Sequence, residues 1–138
     1  MDNGAQYLQV GEIKGERPVA RVILANPDPE AGAEPLEIDA VLDTGSDISC
    51  LLDVQVAALG LLPTSFLPNV ITAGGTAKLP KYIVEIEFSP SSKKTIFMLG
   101  IQGPYPLIGR DLLDSWSICF DGPRQAWTIP CCENAAPN

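Results

Sequence analysis

Glycine and proline together fill 25 of the 138 positions, spread so that no long regular element can run unbroken. Between these breaks the apolar residues alternate or form short runs, a pattern of brief strands. Residues 19–25, 48–52 and 95–101 each predict a strand. In 36–42 (LEIDAVL), Leu36, Ile38, Ala40 and Leu42 face one way, and Glu37, Asp39 and Val41 the other. Segments 70–72 and 78–88 flank Gly74-Gly75 and predict a hairpin with a tight turn. A second hairpin is predicted for 117–121 and 125–129 around Gly122-Pro123. Leu112, Leu113 and Trp116 have helical spacing, which predicts one short C-terminal helix over 110–116. Residues 53–59 could add one helical turn or two, capped by Asp53 and stopped by Gly60. The expected fold class is therefore all-β, with one domain over 16–130, an N-terminal segment over 1–15 and a flexible tail over 131–138.

Composition narrows the class further. At 46% apolar and 19% charged, the chain is neither a disordered tail nor a coiled coil, and its length suits one sizeable core. No apolar run approaches the roughly 20 residues of a membrane span. Met1-Asp2-Asn3-Gly4 lacks the basic and apolar regions of a signal peptide, so the expected location is the cytoplasm.

The charge is lopsided. Seventeen acids against nine bases give −8, which argues against nucleic acid as a partner. Between Val22 and Ala77 there is no Lys or Arg but there are eight acids, namely Asp28, Glu30, Glu34, Glu37, Asp39, Asp43, Asp47 and Asp53. The flanks hold the other nine acids (17 − 8) and all nine bases, and are neutral. Most such runs are solvated faces.

Absent residues exclude several chemistries. Without His there is no Ser–His or Cys–His catalytic unit and no His-containing zinc site. Cys50, Cys119, Cys131 and Cys132 lack CxxC spacing, which argues against a Cys-only zinc site, and no Gly-rich phosphate loop is present. No metal and no cofactor are expected. Cys50 and Cys119 read as buried thiols in apolar strands, and Cys131-Cys132 as part of an inert tail. Carboxylates, hydroxyls and backbone remain for catalysis.

Two strings carry that chemistry. Asp43-Thr44-Gly45-Ser46 stands where an apolar strand ends, with Asp43 on the face of Val41, Asp39 and Glu37. Gly45 allows a sharp turn, and a hydroxyl beside a carboxylate can favour its charged form. Alone, the string also suits an ordinary β-turn. Some 60 residues downstream, Leu107-Ile108-Gly109-Arg110-Asp111-Leu112-Leu113 reads as an apolar strand that ends in Gly and enters a helix. Together the two resemble the paired motifs of retropepsins, the retroviral-type aspartic proteases. Residues 72–77 (TAGGTA) stand where that family has its flap hairpin, and the resemblance spans about 19 to 129. Residues 117–129 look more like small cellular and bacterial members than like viral ones.

The resemblance implies a single-domain acid protease barrel with a flap hairpin. It implies catalysis by Asp43, Thr44 and Gly45, with two aspartates sharing one proton around a lytic water. The chain holds one Asp-Thr-Gly, so the second aspartate has to come from a second copy in a C2 homodimer. Thr44 is expected to lock the two loops across the axis. Ser46 is expected to donate to Asp43, which shifts activity toward acid. Val41, Ser46, Asp47, Ala73, Gly74, Gly75 and Leu107 are the expected contacts to a peptide or protein substrate. Gly109 and Arg110 are expected as structural support, with the Arg110 fork holding Asp47; the bland reading of Arg110 is a solvated helix start, and that of Val41 and Leu107 is plain core. The hairpin tip lacks the bulky apolar residue of viral flaps, so looser closure is expected. A two-fold axis would place sixteen acids and no bases from the acidic segment around one cleft, which should attract basic peptides. Two other readings remain: a non-catalytic retropepsin-like module for peptide binding or dimerisation, and a small β-barrel with chance motifs.

Overall fold

Leu36–Leu42 forms a strand with the predicted bounds, and its alternation puts Ala40 and Leu42 in the core while Glu37 faces solvent. It is the third strand, β3, of a computed structural model that describes residues 9–14, 17–72, 74–89 and 92–129. The other strands are β1 (Gln9–Lys14), β2 (Arg17–Ala25), β4 (Cys50–Leu52), β5 (Ser65–Thr72), β6 (Gly75–Ser89), β7 (Ser92–Ile101), β8 (Leu107–Ile108), β9 (Cys119–Asp121) and β10 (Ala126–Ile129). Two short helices, α1 (Asp53–Ala58) and α2 (Arg110–Leu113), complete an all-β single-domain fold.

The sheet closes on itself. Neighbouring strands run β2–β3–β8–β4–β7–β6, and β6 pairs again with β2 through Ile23↔Glu87 and Leu24↔Ile86. Two contacts in this ring, β3 with β8 and β4 with β7, are parallel. The ring therefore brings the two motif-bearing strand ends side by side. Period-two alternation fills its interior: Tyr82, Val84, Ile86 and Phe88 of β6 are buried with Val22, Leu24, Leu51, Met98 and Ile108. Trp127 is buried too, and its indole N–H donates to Val19 O at 2.8 Å, which satisfies its one polar atom inside the core. Phe88 lies between Trp127 and Trp116, with ring centroids at 6.2 and 4.8 Å.

β1 pairs with both β2 and β10, so the expected boundary at residue 16 falls between two hydrogen-bonded strands. β10 in turn pairs with β9 as the predicted closing hairpin.

Three local expectations change. The longer helix is α1 (6 residues), whereas the C-terminal α2 has 4. After Leu113 the chain tightens into i→i+3 bonds, Ser115 N to Leu112 O and Trp116 N to Leu113 O, which carry Trp116 to Phe88 without a continuing helix. At α1 the cap is not Asp53: Leu52 is the N-cap residue, and its N–H donates to Gln55 Oε1 at 2.8 Å. Cys119 is disulfide-bonded rather than a free thiol; it sits half-buried on the short strand β9, where it is not sealed within the core. Cys50 is a buried free thiol, as expected. The C-terminal segment with Cys131 and Cys132 lies outside the described residues.

Candidate active site

Asp43 is the first residue after β3, and the backbone fixes it from both sides. Its N–H donates to Ile108 O at 2.9 Å, two residues after Val41 N–H donates to Pro106 O at 2.9 Å. These bonds extend the parallel register of Val41 with Leu107 and Leu42 with Ile108. The Asp43 side chain is partly exposed, and its Oδ1 accepts the Gly45 N–H at 2.9 Å. A Cβ on residue 45 would stand 3.2 Å from that oxygen, so only a residue without a side chain leaves the carboxylate in place at no cost. Ser46 N–H donates to Asp43 O at 3.2 Å and closes the turn. Thr44 is exposed on the same turn.

The downstream motif supports this loop from below. Arg110 N–H donates to Ser46 O at 2.8 Å and Asp111 N–H to Asp47 O at 3.2 Å, so the start of α2 is stitched to the loop carrying Asp43. Gly109 lies so close to that loop that a Cβ there would meet Ser46 O at 2.7 Å and Ile48 O at 2.9 Å. Its φ is an ordinary −98°; glycine is required by contact rather than by conformation. The two motifs are one structural unit.

Arg110 does meet Asp47, through one contact of 3.6 Å between Nη2 and Oδ1, and also Asp114 at 3.7 Å. Neither is the expected two-bond fork: Asp47 is 82% exposed and Arg110 52%, so solvent competes for both groups. Ser46 departs from expectation as well. Its hydroxyl donates to Ile48 O at 2.7 Å, which directs the proton to a backbone carbonyl rather than to Asp43. Val41 and Leu107 are half-buried partners across the β3–β8 ladder and are not sealed core.

Gly74 and Gly75 sit on a different element, the β5–β6 hairpin, whereas Ala73 lies outside the described residues. The register Thr72↔Gly75 moves the turn one residue earlier than Gly74-Gly75. Gly75 has φ +115°, which disfavours any side chain there. Thr72 Oγ1 donates to Gly75 O at 2.7 Å and accepts Gly74 N–H at 3.2 Å, a local staple across the turn. Next to it Ile71, paired with Thr76, is 84% exposed. The hairpin thus carries a bulky apolar side chain directly before its tip.

Two further residues of the site escaped sequence reasoning. Ser49 is fully buried; its N–H donates to Asp111 Oδ2 at 3.0 Å and its hydroxyl to Asp111 Oδ1 at 2.7 Å. The same hydroxyl oxygen accepts Gly109 N–H at 2.9 Å. Placing Ser49 inside a strand over 48–52 hid it, because the strand begins only at Cys50. Behind this network, burial pushes the Cys50 thiol up to about 11, with smaller contributions in the same direction from Asp111 and Asp43.

The acidic segment is partly neutralised from outside itself. Arg21 on β2 holds Asp39 at 2.7 Å and approaches Glu37 at 3.8 Å across the β2–β3 pair, and Arg110 meets Asp47. Asp28 accepts Glu30 N–H as a turn cap. The count of sixteen acids without bases therefore overstates the field at a cleft. Among the described residues no group of three or more His, Cys, Asp or Glu could hold a metal, and no helix is long and apolar enough to cross a membrane.

A family model described as retroviral aspartyl protease matches residues 14–120, the span that holds both motifs and their junction. The chain belongs to this family. Two solved structures share the retropepsin-like fold at low identity. A retropepsin-like aspartic protease from Rickettsia conorii aligns with TM-score 0.66 and 15% identity, covering 88% of each chain. The EIAV protease complexed with the inhibitor HBY-793 aligns with TM-score 0.56 and 21% identity, covering 73% of this chain and 88% of its own. Among curated proteins none matches this chain significantly. Membership gives the retropepsin-like chain a frame in which the β3–β8 junction is the place to look for chemistry.

Proposed function

We propose that this retropepsin-like chain is an aspartic endopeptidase that works as a C2 homodimer, with one Asp43 from each copy flanking the scissile bond. The observation that carries the reading is the loop geometry. Asp43 is pinned at a strand end, partly exposed, with one oxygen engaged by Gly45 N–H, in a chain with a single Asp-Thr-Gly. Half a catalytic pair is thus held rigidly and needs a second copy to complete it.

In the dimer one Asp43 carboxylate takes a proton from water, and its protonated twin donates to the scissile carbonyl oxygen. The proton positions then reverse as the amine leaves. Two carboxylates about 3 Å apart cannot both ionise readily, so the pair titrates as a unit and gives a bell-shaped pH profile. Thr44 links the two loops across the axis. Peptide binds as an extended strand between the loop at Ser46 and Asp47 and the β5–β6 hairpin, with Val41 and Leu107 beside the scissile bond. Gly74 and Gly75 belong to the flap tip, and Ile71 supplies the apolar cover over the peptide that excludes water.

The test compares wild type with Asp43→Asn in a peptide library from pH 3 to 8, with sedimentation on the same samples. Cleavage by a dimeric wild type, lost in the variant and blocked by a pepstatin-like inhibitor, is the expected result. Equal cleavage by both proteins, or a confirmed dimer that cleaves nothing, overturns the proposal; the second result points to a binding module.

A further inference from the structure

The basic residues of the chain are used in two ways. Arg21, Arg110 and Arg124 meet carboxylates. Lys78, Lys81 and Lys94 instead stand over the rings of Phe66, Phe97 and Trp116, at 5.3, 4.4 and 5.5 Å from the centroids. These lysines and Lys93 all lie on β6 and β7, and among the described residues none of the four reaches a carboxylate, although Glu87 is the register partner of Lys93. An ammonium group over a ring keeps its charge and its N–H donors for a further partner.

The same strands end in an open edge. β7 pairs with β6 from Lys93 to Leu99, but β4 covers its other side only from Leu99 onward. Leu99 N–H donates to Ser49 O at 3.0 Å, so Phe97 and Thr95, two and four residues earlier, also turn their N–H and C=O away from β6. A longer β4 would serve Phe97 with Ser49 N–H and Asp47 O. Both are taken: Ser49 N–H donates to Asp111 Oδ2 at 3.0 Å, and Asp47 O accepts Asp111 N–H at 3.2 Å. Among the described residues the Thr95 and Phe97 backbone groups therefore have no partner on that side, and both residues are exposed.

Such an edge pairs with any extended chain unless charge selects the partner. Lys93 and Lys94 are exposed beside Thr95, so edge-to-edge pairing with a second copy brings lysines together, whereas a carboxylate-bearing strand is attracted. Nucleic acid would use the lysines but leave the alternating N–H and C=O groups unmatched. We propose that the Lys93–Phe97 edge of β7 is a docking site for an acidic, extended peptide segment of a partner protein, which joins the sheet as a further strand. Its carboxylates lie against Lys93 and Lys94. Its apolar side chains lie against Phe97 and Ile83, a cross-strand pair 49% and 36% exposed. The site uses no residue of the Asp43 loop or of the β5–β6 tip, and it stands whether or not the chain cleaves peptides.

The experiment separates strand addition from charge alone. Backbone amide shifts of the full chain are followed by NMR during titration at low salt with the capped peptide Glu-Val-Glu-Val-Glu-Val-Glu. Wild type is compared with Asp43→Asn, which leaves the peptide uncut. Saturable changes centred on Thr95 and Phe97 are expected in both. Replacing Glu by Gln in the peptide, or reversing both charges with Lys93→Glu and Lys94→Glu in one chain, should weaken binding about tenfold. The reversed chain should in turn bind the peptide that carries Lys in place of Glu. Thr95→Pro removes an edge N–H without touching the bonds to β6 and should weaken binding about tenfold, whereas Thr95→Ala stays within about twofold. Trp127 fluorescence and the Val84 amide report folding; if Thr95→Pro does not fold, charge reversal and its rescue decide. No shift, shifts centred on Ser46 and Gly75, or a reversed chain that gains no affinity for the Lys peptide overturns the site. A folded Thr95→Pro that binds as wild type does overturns strand addition. Oligothymidylate or phosphatidylserine vesicles that move the same amides with higher affinity overturn the peptide as occupant.

Discussion

The loop–α2 junction and the β5–β6 hairpin are both named by glycine-containing motifs, yet they are built in opposite ways. At the junction, five backbone or side-chain hydrogen bonds cross between residues 46–49 and residues 109–111: Arg110 N–Ser46 O, Asp111 N–Asp47 O, Ser49 N–Asp111 Oδ2, Ser49 Oγ–Asp111 Oδ1 and Gly109 N–Ser49 Oγ. At the hairpin tip the bonds are local, from Thr72 to Gly74 and Gly75, and Ile71, Gly74 and Gly75 face solvent. Its register is further broken by the bulge between Leu67 and Val70, where Asn69 takes φ +58°. One region is over-determined and suits the placing of a carboxylate to fractions of an ångström. The other is tied only to itself and can move as a unit. Glycine serves close approach in the first and turn conformation in the second.

The largest expected break in that contrast is Gly109→Ala. The added Cβ meets two carbonyl oxygens at 2.7 and 2.9 Å, and both belong to backbone that cannot swing aside. A loss of about 3 kcal/mol or more in unfolding free energy is expected, read by urea denaturation, with cleavage abolished. Gly74→Ala, the counterpart on the hairpin, finds only Thr72 Oγ1 at 4.0 Å and should cost less than about 1 kcal/mol. Equal losses from the two substitutions would remove the distinction between the regions.

Cys50 sharpens the rigid side through pH. In the unfolded chain its thiol ionises near the ordinary value of 9.0, whereas in the fold burial delays this to about 11. The folded state thus retains the proton longer, and the stability it contributes is present below pH 9 and is lost as pH rises from 9 through 11. Unfolding midpoints of wild type and Cys50→Ala, compared from pH 8 to 11, should diverge in slope within that window, with wild type falling more steeply. Parallel curves would mean that the thiol behind the loop is hydrated.

What the residues revealed in advance follows the same division. Strand 36–42 was legible because a half-buried strand writes a period of two, and the pairing of the two motifs was legible because both are contiguous strings. The Ser49–Asp111 network was not, since a serine in a strand-like run signals nothing until a partner 62 positions away is brought to it. The direction of the Ser46 hydroxyl is hidden for a related reason: Asp43 is near it in sequence, but the turn points the hydroxyl at Ile48 O. Cys119 read as an apolar-strand thiol because the sequence does not show how short and open β9 is. Local periodicity survives translation into sequence; side-chain direction at a turn and long-range partners do not.

On the compliant side, Ile71→Ser tests whether the exposed isoleucine belongs to function. At 84% exposure the side chain contributes little to stability in the free chain, so the unfolding midpoint should stay within about 0.5 kcal/mol. If it covers bound peptide, the lost apolar contact should raise KM about three- to tenfold with a smaller change in kcat. A change in stability without one in KM would make Ile71 part of the fold instead.

The smallest effect is expected where the family resemblance suggests a strong one, at Arg110. Its contacts with Asp47 and Asp114 are long (3.6 and 3.7 Å) and exposed, so the pair stabilises the isolated chain by about 0.2–1 kcal/mol at most. Arg110→Gln keeps the backbone N–H that holds Ser46 O, and with it the loop register. The expected result is therefore an unfolding midpoint close to wild type and an ion-pair contribution that vanishes in high salt. Should Arg110→Gln instead unfold the chain or abolish cleavage as Gly109→Ala does, the guanidinium must gain partners or lose solvent on assembly of the two copies. Measuring the variant's sedimentation against protein concentration separates these outcomes, because a dimer-specific role moves the association constant and leaves monomer stability where it was.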